Sequence, residues 1–361
     1  MTAADPRTRA LTVRLWLACL ATQEQLTIYL GVRLGLYRSL DTPATPRQLA
    51  GRAGIAVRYA TEWLEQQAVA GIVEVDDPAR PRDERVYTLP DPHRTVLVET
   101  ADPSAIGSLA VLPLGGVALA LPELLAAYRS GAGVPDAVYG DDWRVGHSGA
   151  NRALFTHQFP GWIRLAMPDV HARLTTGDAR VADVGCGAGW ASIALALAYP
   201  GARITGFDVD AECLEQARRN AADAGVAERT EFRVQDIEAA ADELTGRFDL
   251  VCVLDVLHEL PRPVPTLRTC RCLRSPDGAV LVMDARVRDA FTAPADEVER
   301  FQYATSVLHC LPACLADPPS AGTGTVMRAD DVRAFARDAG FAEVDVLPVE
   351  ERFHRLYRLR G

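Results

Sequence analysis

Residues 181–210 read VADVGCGAGWASIALALAYPGARITGFDVD. An apolar run at 181–184 enters a turn with glycine at 185, 187 and 189, an apolar helical stretch follows, and a second β-like run ends on Asp208. Glycine reaches positive φ without a steric penalty and lets a ligand approach the backbone, while an acid at the tip of the next strand is placed to accept from a ribose diol. The stretch therefore predicts a strand, turn, helix, strand unit of an open α/β sheet, with a nucleoside at the carboxyl edge of its strands.

The spacing discriminates between nucleosides. A dinucleotide fingerprint carries its third glycine three residues after the second, and here that position is Trp190, which disfavours NAD. Gly-x-Gly-x-Gly after Asp183, followed by Gly206-Phe207-Asp208, resembles motif I and its acidic partner in class I S-adenosylmethionine (SAM)-dependent methyltransferases. Later segments come in the order of that family: Asp236 and Ile237 in RVQDIEA resemble its adenine-flanking pair, FDLVCVLDVLHEL at 248–260 its fourth strand, and SPDGAVLVMD at 275–284 its fifth. The resemblance implies a Rossmann-like seven-stranded sheet and SAM as cofactor. It places Gly185, Gly187 and Gly189 at the amino-acid part of SAM with Asp183 toward the ammonium, Asp208 and Val209 at the ribose, and Asp236 and Ile237 at the adenine. Leu254 and Asp255 then close the fourth strand beside the sulfonium. A carboxylate suits the ribose because it is a charge-assisted acceptor for two hydroxyls at once.

Composition narrows the field further. The 361 residues exceed one ordinary domain, and 48% hydrophobic content supports a sizeable core. A net charge of -10 disfavours a duplex nucleic-acid partner, which would require a concentrated basic surface. All 38 basic residues are arginine, so chemistry through a lysine Schiff base is excluded. The eight cysteines lack a paired CxxC pattern and fit a reduced, cytoplasmic chain, as does an opening stretch interrupted by Asp5 and arginines rather than patterned as a signal peptide. The uncharged stretch 105–121 is broken by Pro113 and Gly115-Gly116, and is expected to be buried helix rather than a membrane span.

Three parts are expected along the chain. Residues 1–100 read as a helical and winged-helix domain: an apolar helical start, Thr45-Pro46 opening a helix-turn-helix, and GIVEVDD with RVYTLPD as a two-stranded wing. Residues 41–90 carry six arginines against eight acids, and the second helix offers Glu62 and Glu65 beside Arg58, a face ill suited to DNA. In the small-molecule methyltransferases of winged-helix type that the chain resembles, this module dimerises, which implies a homodimer. Residues 101–177 are expected to be a helical connector lining the substrate pocket, with Trp143, Arg144, His147 and Asn151 as polar candidates for substrate contact. Residues 178–361 are the expected SAM-binding catalytic domain.

After the fourth strand comes His258-Glu259-Leu260, where winged-helix O-methyltransferases carry a His-Asp-Trp segment whose histidine is the general base. That role carries over to His258 alone. A histidine titrating near neutrality can take the acceptor's proton as the new bond forms. His309, in an insertion before the last helix, is a second catalytic candidate, and Tyr303 and Arg328 offer a phenol and a cation to an acidic acceptor. The expected function is methyl transfer from SAM to an oxygen of a natural-product-like small molecule, with no metal. The alternative is C-methylation of an α-keto acid with a divalent or ferric ion on His258 and His309, as in a known relative of this fold that binds iron through two histidines. A SAM-sensing transcription regulator is the alternative of another class, and it lacks its basic recognition helix here.

Overall fold

The computed structural model describes residues 5–100 and 102–361, with all their side chains except those of 239–242. The chain forms two units, Met1–Ala118 with Asp141–Ala153, and Leu119–Gly140 with Leu154–Gly361. The segments of the connector expected over 101–177 are shared between these two units. Its segment 141–153 belongs with the N-terminal unit because small residues let helical stretches close together there: a side chain at Gly116 would strike Trp143, one at Gly146 would strike Leu112, and one at Gly149 would strike Ser108. The run Gly107–Ser130 is long and apolar enough to cross a membrane by length and composition. Within its first part, Gly115 and Gly116 pack against Asp142 and Trp143, so that face meets protein.

The N-terminal unit opens with the helix Pro6–Arg33, capped by Asp5. The helix Pro46–Ala53 begins with a reciprocal capping box between Thr45 and Gln48 and stops at Gly54 in the left-handed region. The helix Val57–Val69 follows, then an antiparallel wing of β1 (Glu74–Val75) and β2 (Tyr87–Thr88). Leu36, Tyr37, Leu40, Leu49, Trp63, Leu64 and Tyr87 form its core. This is the expected winged helix, and its charges are spent internally: Arg82 and Arg85 of the wing pair with Glu65, and Arg58 pairs with Glu62.

The second unit holds, among the described residues, a seven-stranded sheet. Its strands are β3 (Arg180–Val184), β4 (Arg203–Asp208), β5 (Thr230–Val234), β6 (Phe248–Leu254), β7 (Arg274–Ala285), β8 (Glu343–Val346) and β9 (His354–Arg360). The order is β5-β4-β3-β6-β7-β9-β8, parallel except that β9 runs antiparallel to both β7 and β8. The central strands read as continuous apolar runs because helices cover both faces, and Val181, Ala182, Leu250, Val251, Cys252 and Val253 are all fully buried. The register pairs Asp183 with Gly206 on one side and Cys252 on the other, so the strands converge on one carboxyl edge. That edge carries the site.

Candidate active site

The loop after β3 is built by backbone that favours glycine. Gly185, Gly187 and Gly189 have φ of 69°, 50° and 78°. A Cβ at Gly185 would lie 2.8 Å from a Val256 methyl, and one at Gly189 would lie 2.8 Å from the Phe232 ring, whereas one at Gly187 would meet nothing within 4 Å. The helix Trp190–Ala198 starts directly after Gly189, so its unsatisfied N–H groups face the loop, an arrangement suited to a carboxylate. Asp183 is fully buried, accepts from the Ser192 hydroxyl at 2.7 Å, and has its pKa raised to about 6, first by burial and then by the charge of Asp208. Asp208 accepts from the Gly187 N–H at 2.8 Å and the Asp210 N–H at 3.0 Å. Burial raises its pKa as well, so both acids have a gain to make from a cationic or hydroxyl-rich ligand.

Of the other positions matched to SAM, Ile237 and Leu254 are buried apolar residues, Val209 is exposed, and the Asp236 carboxylate accepts from the Glu238 N–H at 3.0 Å. Asp255 takes φ of 58°, uncommon for a residue with a side chain. Its N–H donates to the Met283 carbonyl at 2.7 Å, and its carboxylate lies 3.6 Å from Nε2 of His354, which Glu351 contacts on the other nitrogen at 3.2 Å. Sequence reading missed His354 and Glu351, whose only signal is a histidine at the mouth of a closing strand.

His258 lies in the turn after β6 and is almost completely buried. Asp284, near the end of β7, accepts from Nδ1 of His258 at 2.7 Å, from the His258 backbone N–H at 3.2 Å and from the Ala285 N–H at 2.7 Å. A carboxylate there fixes a proton on Nδ1 and leaves Nε2 as the nitrogen that can gain or lose one. Nε2 lies 3.6 Å from Oε1 of Glu259, the same oxygen lies 3.4 Å from Nδ1 of His309, and Nε2 of His309 lies 3.0 Å from the exposed Asp136 carboxylate. Tyr139 packs edge-on against His309, with ring centroids 4.5 Å apart. Burial alone would depress both imidazoles, but Asp284 raises His258 and Asp136 with Glu259 raises His309, each well above the ordinary histidine value. Burial likewise opposes the charge on Glu259, and the two imidazoles overcome it, holding the carboxyl well below its usual range.

The structure thus brings His258 and His309 together, with Glu259 between them. It adds Cys310, one of the cysteines whose sequence spacing does not match a structural zinc pattern: donor atoms of His258, Glu259 and Cys310 lie within 4.8 Å of one another. His309 and Cys310 sit on a π-helical turn, Ser306–Cys310, between the helices Glu297–Thr305 and Leu311–Cys314, and periodicity gives no warning of such a turn. The substrate candidates are distributed differently. Arg328 donates to the Tyr303 hydroxyl at 3.1 Å, contacts Glu299 at 3.5 Å and bonds the Arg288 carbonyl, so these two side chains are held by protein groups. Trp143, Arg144, His147 and Asn151 all lie on the helix Gly140–His157 within the N-terminal unit, where Trp143 stacks on His147 and Arg144 pairs with Asp141.

Comparison with known proteins agrees with this architecture. Residues 175–323 match the family model of a methyltransferase domain, and residues 21–99 match that of an Rv2258c-like winged HTH domain. The chain is 37% identical over 113 residues to a ubiquinone biosynthesis O-methyltransferase of Xanthomonas axonopodis pv. citri (strain 306), a match covering 31% of this chain and 46% of that protein. The chain thus spans less than half the length of that relative. Among solved structures, the mitomycin 7-O-methyltransferase MmcR superposes with a TM-score of 0.71 at 21% identity, covering 99% of each chain. Human N-acetylserotonin methyltransferase in complex with SAM gives 0.72 at 16% identity, covering 100% of this chain and 99% of that one.

Proposed function

We propose that the protein transfers the methyl group of SAM to an oxygen of a small, natural-product-like acceptor, a reading supported by the match of residues 175–323 to a methyltransferase domain and of residues 21–99 to a winged HTH domain. The observation that carries this reading is the buried Asp284–His258 pair at the carboxyl edge of the sheet whose first loop holds Gly185, Gly187 and Gly189. Methyl transfer to a neutral hydroxyl releases a proton, and Nε2 of His258 is the nitrogen able to take it. The relatives' names, O-methyltransferases among them, support oxygen as the acceptor atom.

In this reading Asp183, Asp208, Asp236 and the glycine loop hold SAM, and the half-helix of N–H groups at Trp190 receives its carboxylate. Proximity supplies the larger share of catalysis, roughly 7–11 kcal/mol from aligning two bound reactants. The base adds about 10²- to 10⁴-fold. His309 acts through Glu259 as a positioning residue. The protein works as a homodimer: Leu11, Leu15, Trp16 and Leu20 of the helix Pro6–Arg33 are all exposed in the single chain, an apolar face that a second copy would cover. The wing's internal ion pairs argue against a DNA-binding regulator.

The test is acceptor-dependent formation of S-adenosylhomocysteine, measured by mass spectrometry across a panel of phenols and other hydroxyl compounds, with His258→Ala beside the unaltered protein. Acceptor-dependent product that falls by about 10²-fold or more in the variant is expected. Undiminished turnover in the variant sinks the base assignment, and methylated carbon in the product sinks the O-methylation reading.

A further inference from the structure

We propose that His258, Glu259 and Cys310 form a binding site for a zinc-class divalent cation, and that occupation of this site switches the methyltransferase off. An imidazole nitrogen of His258, a carboxylate oxygen of Glu259 and Sγ of Cys310 lie mutually within 4.8 Å, and because Asp284 engages Nδ1, Nε2 is the His258 nitrogen left for a cation. Nitrogen, oxygen and thiolate together suit a borderline-soft cation that favours three protein ligands with a fourth position open. Bonds of about 2.0–2.3 Å to such an ion need the donors a little closer than they stand, a change within reach of side-chain rotation.

Two further observations point to the same ligand set. Each of the two ionisable donors from the β6 turn is already oriented by an outer partner: Asp284 holds Nδ1 of His258 at 2.7 Å, and His309 lies 3.4 Å from the Glu259 carboxylate. Carboxylate-to-histidine support of this kind fixes the tautomer that exposes Nε2, which is how metal-binding imidazoles are held. The cysteine is buried, and the π-helical turn that carries it sets Cys310 beside the His258 ring while His309 reaches Glu259. The methyl-transfer chemistry assigned above makes no use of Cys310.

The inhibitory consequence rests on the assignment of His258 as base. Nδ1 carries its proton toward Asp284, so Nε2 has the ring's one available lone pair. That pair can take the acceptor's proton or bind a cation, but not both. Loading the site releases the Cys310 thiol proton, and any proton on Nε2, to solvent.

The full-length protein, purified without a metal-affinity tag and stripped with chelator, is titrated with Co²⁺ and separately assayed with Zn²⁺. One equivalent of Co²⁺ with a thiolate-to-cobalt charge-transfer band is expected, and Zn²⁺ should suppress formation of S-adenosylhomocysteine reversibly. Cys310→Ser, read against its own metal-free turnover, should lose the charge-transfer band and need at least tenfold more Zn²⁺ for half-inhibition. Cys310→Ala serves if the serine variant melts early. His309→Ala should weaken Co²⁺ by about 10- to 100-fold, as loss of an outer partner does. Absence of the band in unaltered protein, or its survival in both Cys310 variants, overturns the site. Binding that raises turnover overturns the inhibitory role. If His258→Ala leaves turnover unchanged, the base assignment fails on its own, since the cobalt spectrum reports the ligands independently of catalysis.

Discussion

Replacing Asp284 by asparagine separates the electrostatic role of that residue from its shape. The carboxylate accepts three hydrogen bonds, from His258 Nδ1 at 2.7 Å, the His258 N–H at 3.2 Å and the Ala285 N–H at 2.7 Å. Asparagine has one acceptor oxygen and one NH₂ group. With the oxygen toward Nδ1, the NH₂ faces the His258 backbone N–H, and a buried donor is left unpaired at a cost of about 1–3 kcal/mol in stability. With the NH₂ toward Nδ1, the imidazole must carry its proton on Nε2 and can no longer accept one. In either orientation the charge that raises the His258 pKa is gone. With His258 as the proposed base, the unaltered enzyme would need it neutral, so its kcat should climb with pH through that raised value and reach a plateau. In Asp284→Asn the climb should move to lower pH, while the plateau falls by about 10²- to 10⁴-fold, the usual worth of a general base, or roughly 3–5 kcal/mol of barrier. The measurement is kcat against pH by S-adenosylhomocysteine release in chelator-treated protein, with SAM binding followed in parallel to show that the variant is folded. A plateau within about threefold of the unaltered protein, with the climb unmoved, would refute the reasoning.

Other expectations follow from the same edge of the sheet. Gly189→Ala places a Cβ 2.8 Å from the Phe232 ring and 3.0 Å from the Ala217 Cβ at a φ of 78°. Calorimetry should show a loss of about 1–3 kcal/mol in stability together with weaker SAM binding, and wild-type values for both would mean that the loop relaxes freely. Burial opposes charge on His354, yet Asp255 and Glu351 raise its pKa to about 10. Because the folded value lies above the unfolded one, its stabilisation is complete below pH of about 6.5 and is lost as pH rises toward 10. His354→Gln should therefore flatten the decline of Tm over that interval, and an unchanged pH profile would show that the pair with Asp255 contributes nothing.

The parts of this chain legible in its sequence are those fixed by local chemistry. Gly185, Gly187 and Gly189 announce positive φ, Asp208 announces a strand tip, and Thr45 with Gln48 announces a helix start, because each signal lies within a few residues of the geometry it dictates. His258 was legible through its place after β6. The groups that tune it were less so, since Asp284 comes from the neighbouring strand and Asp136 and Cys310 from segments brought near only by the fold. The division of the chain into compact units is hard to read for a related reason. The helix Gly140–His157 looks like a continuation of its neighbours in sequence, yet its glycines at 146 and 149 pack on Leu112 and Ser108 and divide the helix between two units. Tyr303 and Arg328, named for an acidic acceptor, are held together with Glu299, one turn before Tyr303, by hydrogen bonds that span separate segments of the chain.

The departure from His-Asp-Trp to His-Glu-Leu is explained by what the longer acid can reach. Oε1 of Glu259 stands 3.6 Å from one imidazole and 3.4 Å from the other, so a single oxygen serves both His258 and His309. An aspartate, one methylene shorter, would not span the same pair without moving the turn. The result is an alternation of acid and imidazole, Asp284, His258, Glu259, His309 and Asp136, buried at its Asp284 end and exposed at Asp136, in which each imidazole lies near two carboxylates. Breaking such a chain at one member leaves an uncompensated buried charge, worth roughly 3–5 kcal/mol. In the proposed mechanism His309 thus has a role without being the base: its imidazole helps hold the Glu259 carboxyl in its charged form, 3.6 Å from Nε2 of His258.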